Sequence, residues 1–141
     1  MNIQPLVPNF KAPVKSSNLA GAYDLFMPEA GIINPHADFG EFVGLGFAAH
    51  VPDGHVALLL PRSGKGAKYG LSLNNTVGVI DPDYRGEWIA CLRNRNSQPF
   101  TWNIDDRLIQ MLIIKIEQVE FNIVDSLDET ERNTGGFGST D

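Results

Sequence analysis

No long helical hydrophobic period in this chain survives the prolines that punctuate it. Apolar residues recur instead at every second position, the period of a half-buried strand. In EFVGLGFAAHV, Val43, Leu45 and Phe47 share one parity while Gly44 and Gly46 take the other. Pro52, Asp53 and Gly54 then spell a tight turn before the apolar run HVALLLP. The segments TVGVIDP, EWIACLRN and QPFTWNI follow. The last apolar run covers residues 108–124, where Ile114 and Ile116 alternate with Lys115 and Glu117, and Val119, Phe121 and Ile123 alternate with Glu120 and Asn122. The apolar parity flips near Gln118. Because the side-chain period is two, that flip predicts a bulge or bend there.

Many short strands separated by turn signals, with fourteen glycines and nine prolines among 141 residues, predict an all-β sandwich or barrel. Helix is expected in at most one short turn, near SGKGAKYGLS. The length suits a single domain, and a 43% hydrophobic content can fill its core. The apolar pattern stops near Asp125. Residues 1–124 are therefore expected to form the β domain and residues 125–141 a flexible C-terminal arm. The lone Cys91 is expected in the core and implies no disulfide framework, which suits a reducing compartment. The N-terminal MNIQPLVPNFKAP has no apolar signal-peptide core, so the chain reads as a soluble, cytoplasmic protein. Seventeen acidic against eleven basic residues leave a net charge of −6. That balance argues against nucleic-acid or anionic-membrane binding, yet permits a small anion held by a few local cations.

Three stretches are denser in functional residue types than strands need. In PRSGKGAKYG, Arg62 and Ser63 close an apolar strand just before the helical turn. They are either anion ligands at that turn or a solvated surface loop. The spacing is neither a Walker A loop nor a dinucleotide fingerprint. In NNTVGVIDPDYRGE, a strand runs into Asp81, Asp83, Tyr84 and Arg85. The two aspartates can bind metal, one can serve as a general base, or the segment is an ordinary polar turn. In DDRLIQ, Gln110 interrupts an apolar run, facing either solvent or a ligand. His36, His50 and His55 read as loop or strand-end residues rather than metal ligands. The final RNTGGFGSTD combines backbone freedom, hydroxyls, an arginine and one aromatic ring. It is either a disordered tail or an arm that clasps phosphate and stacks on a base.

The order of these segments is more specific than any one of them. GAYDL, PRSGKGAKYG, NTVGVIDPDYRGE, DRLIQ and RNTGGFGST resemble the five ordered motifs of the trimeric deoxyuridine triphosphatases, from about Gly21 to Thr140. The resemblance implies a β jelly roll of the β-clip type, assembled as a homotrimer with active sites shared between subunits. It implies hydrolysis of dUTP to dUMP and pyrophosphate with Mg²⁺, which keeps uracil out of DNA and supplies dUMP for dTMP synthesis. By position, Asp81 resembles the base that activates water, and Tyr84 the ring under the deoxyribose. Asn75, Gly78, Val79 and Ile80 resemble the hairpin that reads uracil. Arg62, Ser63, Gly64 and Gln110 resemble phosphate ligands. Asp24 resembles a carboxylate that holds metal-bound water. Arg132, Phe137, Gly138, Ser139 and Thr140 resemble a closing arm reaching a neighbouring subunit's site. Ala22, Lys65, Gly66 and Asp141 depart from the family pattern, and residues 29–41 match no motif. Two alternatives remain open. One is a deoxycytidine triphosphate deaminase of the same fold, against which IDPDY argues. The other is a nucleotide-responsive regulatory protein.

Overall fold

A computed structural model describes residues 1–35 and 40–136. The strands are β1 (Asn2–Pro5), β2 (Tyr23–Phe26), β3 (Gly31–Ile33), β4 (Glu41–His50), β5 (His55–Pro61), β6 (Leu71–Leu73), β7 (Gly78–Ile80), β8 (Glu87–Asn94), β9 (Phe100–Trp102) and β10 (Arg107–Lys115). Helix α1 (Ser63–Tyr69) lies between β5 and β6. One four-stranded sheet runs β1-β4-β8-β6 and a second runs β2-β10-β5-β7, while β3 and β9 form a small third sheet. All of these strand pairings are antiparallel. The architecture is all-β, as the alternation predicts, and is the jelly roll that the family resemblance implies, with one helix of seven residues.

The two four-stranded sheets share a core built by parity. β8 contributes Trp88, Ala90 and Leu92, β4 contributes Leu45 and Phe47, β5 contributes Ala57 and Leu59, and β6 contributes Leu71 and Leu73. Phe47 and Trp88 meet across the sheet with ring centroids 5.1 Å apart. Cys91 falls on the other parity of β8, with Ile89 and Arg93. It is half-buried and lies opposite Phe42 of β4, so the expectation that it belongs to the core is corrected. Trp88 sets which parity of β8 faces inward, and Cys91 follows from it.

The predicted irregularity near Gln118 is also corrected. β10 stops at Lys115, and the described residues beyond it carry no strand. Val119, Phe121 and Ile123 are 67%, 93% and 98% exposed. Alternation marks a face, but a strand also needs a partner for its backbone hydrogen bonds, and among the described residues no strand pairs with residues 117–124. The irregularity in β10 lies at its start. Arg107 pairs with Phe26 and Ile109 with Leu25, leaving Leu108 as the extra residue. A bulge there lets Leu108 and Ile109, consecutive in sequence, both face the core at 0% exposure.

Candidate active site

The functional residue types gather in two places. The first is a cleft of about 650 Å³ lined by residues from β2, β10, α1 and the loop before β2. Register builds it: Gln110 lies level with Asp24 of β2 on one side and Leu60 of β5 on the other. β5 ends at Pro61, so Arg62 enters this row as the chain turns into α1. Ser63, Gly64, Lys65 and Lys68 follow along the same wall.

Asp24 is 4% exposed and fully engaged. Its Oδ1 lies 2.9 Å from Nε of Arg62, and its Oδ2 lies 3.1 Å from Nη1 of Arg107. Oδ2 also accepts the Ser16 hydroxyl at 2.9 Å. Arg62 donates in addition to the Arg107 carbonyl at 3.2 Å. Gln110 donates through Nε2 to the Pro61 carbonyl at 3.1 Å. The carboxylate thus fixes the guanidinium of Arg62 at the cleft wall. Arg62, Lys65 and Lys68 leave the lining net positive around the single carboxylate of Asp24. An otherwise acidic protein concentrates positive charge here, as binding of a multiply charged anion requires.

Asp24→Ala should leave two guanidiniums facing each other without their carboxylate. We expect a loss of about 1–3 kcal/mol, moderated because the Arg62 and Arg107 side chains are 30% and 38% exposed. Urea unfolding checks this, and unchanged stability would mean the pair is solvated away.

The second place is a recess of about 180 Å³ lined by Val79, Ile80, Asp81, Tyr84, Glu87 and Ile89. Val79, Tyr84 and Ile89 are 56%, 42% and 45% exposed, an apolar rim around an exposed aspartate. The Tyr84 amide donates to the Asp81 carbonyl at 3.2 Å and closes the turn. The Tyr84 hydroxyl donates to the Glu87 carbonyl at 3.0 Å. Asn75 sits exposed in the turn before β7, where Thr76 adopts φ +68°.

The cleft and the recess share no lining residue. β7 runs antiparallel to β5, with Leu59 opposite Gly78 and Ala57 opposite Ile80. Asp81 therefore emerges level with Val56, whereas Arg62 follows Pro61 at the other end of β5. Six residues of strand separate these levels by about 20 Å. Within one chain, the cation cluster and the aspartate–tyrosine pair lie at opposite ends of a central strand.

Arg132 joins neither place: it is exposed and donates from Nε to the Gly135 carbonyl at 2.9 Å in a local turn. Phe137, Gly138, Ser139 and Thr140, expected as the rest of the arm, lie outside the described residues. So do residues 36–39 of the unassigned 29–41 segment. Sequence reasoning assigned no role to Ser16, Arg107, Lys68 or Glu87. Arg107 stood inside DDRLIQ, but its role depends on the β2–β10 register.

The Mg²⁺ expectation meets a specific test at Asp24. Both of its oxygens are taken by cations and a hydroxyl, and among the described residues no three His, Cys, Asp or Glu side chains stand together as a metal site. The described residues offer no set of direct ligands for a resident magnesium ion; the expectation places the metal on the triphosphate, with Asp24 reaching it only through water, and needs no such set.

A dUTPase family model matches residues 8–141. The deoxyuridine 5'-triphosphate nucleotidohydrolase of Bordetella pertussis is 48% identical over 99 residues, covering 70% of this chain and 66% of that protein. The same enzyme of Paraburkholderia phymatum is 50% identical over 99 residues, covering 70% of this chain and 67% of that protein. The Staphylococcus bacteriophage 80alpha dUTPase, solved with dUpNHpp, superposes with a TM-score of 0.89 at 22% identity, covering 99% of this chain and 97% of that one. A mutant dUTPase of phage phi11 of S. aureus, described as revealing how a structural Mg(II) ion is coordinated, gives 0.77 at 22% identity over 89% and 96%. At such identity the likeness to the phage structures is one of fold. Among the described residues, no helix is long and apolar enough to cross a membrane.

Proposed function

Because the chain belongs to the dUTPase family, we propose that it hydrolyses dUTP to dUMP and pyrophosphate in the cytoplasm, at sites shared between the subunits of a homotrimer. The observation that carries this reading is the separation of the cation cleft from the aspartate–tyrosine recess along β5. A base must come within about 2.6–3.2 Å of the proton it takes. A phosphate chain held by Arg62 lies far beyond that reach from Asp81 of the same chain. Each half becomes useful only against the other half of a neighbouring copy. The exposed alternation of Val119, Phe121 and Ile123 points the same way, since a neighbouring chain can supply the missing partner.

In the assembled site, Arg62, Ser63, Gly64 and Gln110 hold the triphosphate, which enters as its Mg²⁺ complex. Asn75, Gly78, Val79 and Ile80 face uracil, and the Tyr84 ring lies against the deoxyribose where a 2′-hydroxyl would not fit. Asp81 takes a proton from water. The water oxygen bonds to the α-phosphorus, and the bond from that phosphorus to the α–β bridging oxygen breaks as pyrophosphate leaves. Arg62, fixed by Asp24, offsets the charge that gathers on the leaving oxygens. Residues 125–141 form the arm, with Phe137 on the base and Arg132, Gly138, Ser139 and Thr140 clasping phosphate. Product dUMP then serves dTMP synthesis, and dUTP is kept from DNA.

A pyrophosphate-release assay across dUTP, UTP, dTTP and dCTP tests the reading. We expect dUTP to be preferred over UTP by at least about 10²-fold, the discrimination that a site shaped against one hydroxyl can supply. Comparable UTP turnover would remove Tyr84 from its role. Ammonia release from dCTP would replace hydrolysis with deamination, and near-zero turnover with a stable protein partner would favour a regulatory role.

A further inference from the structure

We propose that Glu87 is a positioning residue: its carboxylate clamps the 81–87 turn to a glycine bulge in β4 and thereby sets where Tyr84 and Asp81 stand. The proposal rests on the reading of that recess as the nucleoside half of the site. The bulge is large. Gly44 pairs with Ile89 and Ala48 with Glu87, so Leu45, Gly46 and Phe47 all oppose Trp88 alone. Gly46 adopts φ +74°, a conformation that favours glycine. Its amide turns toward β8 and donates to Glu87 Oε1 at 3.0 Å.

Gly44 completes the socket. A Cβ at residue 44 would stand 2.4 Å from Glu87 Oε1 and 3.0 Å from its carboxyl carbon. The carboxylate occupies the space that the missing side chain leaves. From Glu87 the connection runs through its own backbone, because the Glu87 carbonyl accepts the Tyr84 hydroxyl at 3.0 Å. Gly86 allows that approach, since a Cβ there would lie 2.4 Å from the Tyr84 hydroxyl oxygen. The Tyr84 amide in turn donates to the Asp81 carbonyl. Three glycines, one carboxylate and one phenol therefore link the interior of the first sheet to the proposed base. Without the Gly46 contact, the half-buried Glu87 side chain would leave its socket and the turn would lose its anchor.

Three variants test this. Glu87→Ala removes the acceptor. Gly44→Ala displaces it by pushing aside the tip of a flexible side chain. Glu87→Gln keeps an oxygen for the Gly46 amide and removes only the charge. For Glu87→Ala and Gly44→Ala we expect dUTP KM to rise roughly tenfold and kcat to fall roughly tenfold as well, because the Tyr84 ring and the Asp81 carboxylate are displaced together. Amide hydrogen exchange at residues 84–86 should quicken in both. Glu87→Gln should restore KM and protection. Wild-type KM and exchange in the first two variants would overturn the proposal, as would a lower Tm with KM unchanged. A fall in kcat alone would place Glu87 in the chemistry, and equal damage from Glu87→Gln would assign the effect to charge. Both outcomes overturn the clamp. If the unaltered protein does not hydrolyse dUTP, the reading of the site fails instead. The exchange measurement then still decides the clamp: faster exchange in Glu87→Ala supports it and unchanged exchange overturns it.

Discussion

Asp81→Asn is expected to lower kcat for dUTP by about 10²–10⁴-fold, the contribution of a positioned general base, with nucleotide affinity held within a few-fold. The substitution replaces one carboxylate oxygen with an amide nitrogen and changes little else. Asp81 is exposed at the rim of its recess, so folding stability should stay within about 0.5 kcal/mol. The turn should also survive, because the Tyr84 amide bonds the Asp81 backbone carbonyl and not its side chain. Loss of rate with binding and fold intact would isolate proton transfer as the missing step. Calorimetry with a non-hydrolysable dUTP analogue, beside steady-state kinetics, separates the terms. Near-normal kcat would show that another group activates the water.

The parts of this site were legible in the sequence to the extent that each is local. Arg62, Ser63 and Gly64 stand in one stretch, as do Asp81 and Tyr84, and their order along the chain carried the family resemblance. The strands were legible because β8 writes Trp88, Ala90 and Leu92 on one parity. What depends on register was not. That Asp24, Gln110 and Arg62 share one wall follows from pairing β2 and β5 on either side of β10, and no local pattern states it. Arg107 as the second cation on Asp24 depends on the same register. The reach of Glu87 into β4 depends on a bulge whose glycines read equally well as plain strand residues. The segment after Lys115 failed for a different reason. Alternation at Val119, Phe121 and Ile123 specifies a face but not a sheet, and among the described residues no strand pairs with it. The split between the two halves was likewise invisible until β7 was placed against β5. Only then do Asp81 and Arg62 fall at opposite ends.

That split yields a prediction that one inactive variant can rescue another. Arg62→Ala removes the cleft's fixed cation, and Asp81→Asn removes the base. Each alone should form trimers with little activity. In a cyclic trimer, every site takes its cleft from one chain and its recess from the next. Any trimer containing both variants then has one junction at which an intact Arg62 meets an intact Asp81. Random 1:1 assembly makes about three quarters of trimers mixed, each with one restored site in three, so activity should approach roughly one quarter of wild type. The two chains must be unfolded and refolded together, since a stable trimer need not exchange subunits, and mass spectrometry of distinctly tagged chains verifies the mixture. Arg62→Ala leaves Arg107 and Ser16 on the Asp24 carboxylate, which should keep the cleft folded. If sites were instead complete within one chain, every site in every mixture would carry one defect and nothing would be restored. Verified mixed trimers as inactive as their parents would therefore reject the shared site. The roughly 20 Å between Arg62 and Asp81 would then have to be closed by refolding of β7 against β5 within a single subunit, which the seven residues of β5 paired with β10, three of them also with β7, oppose.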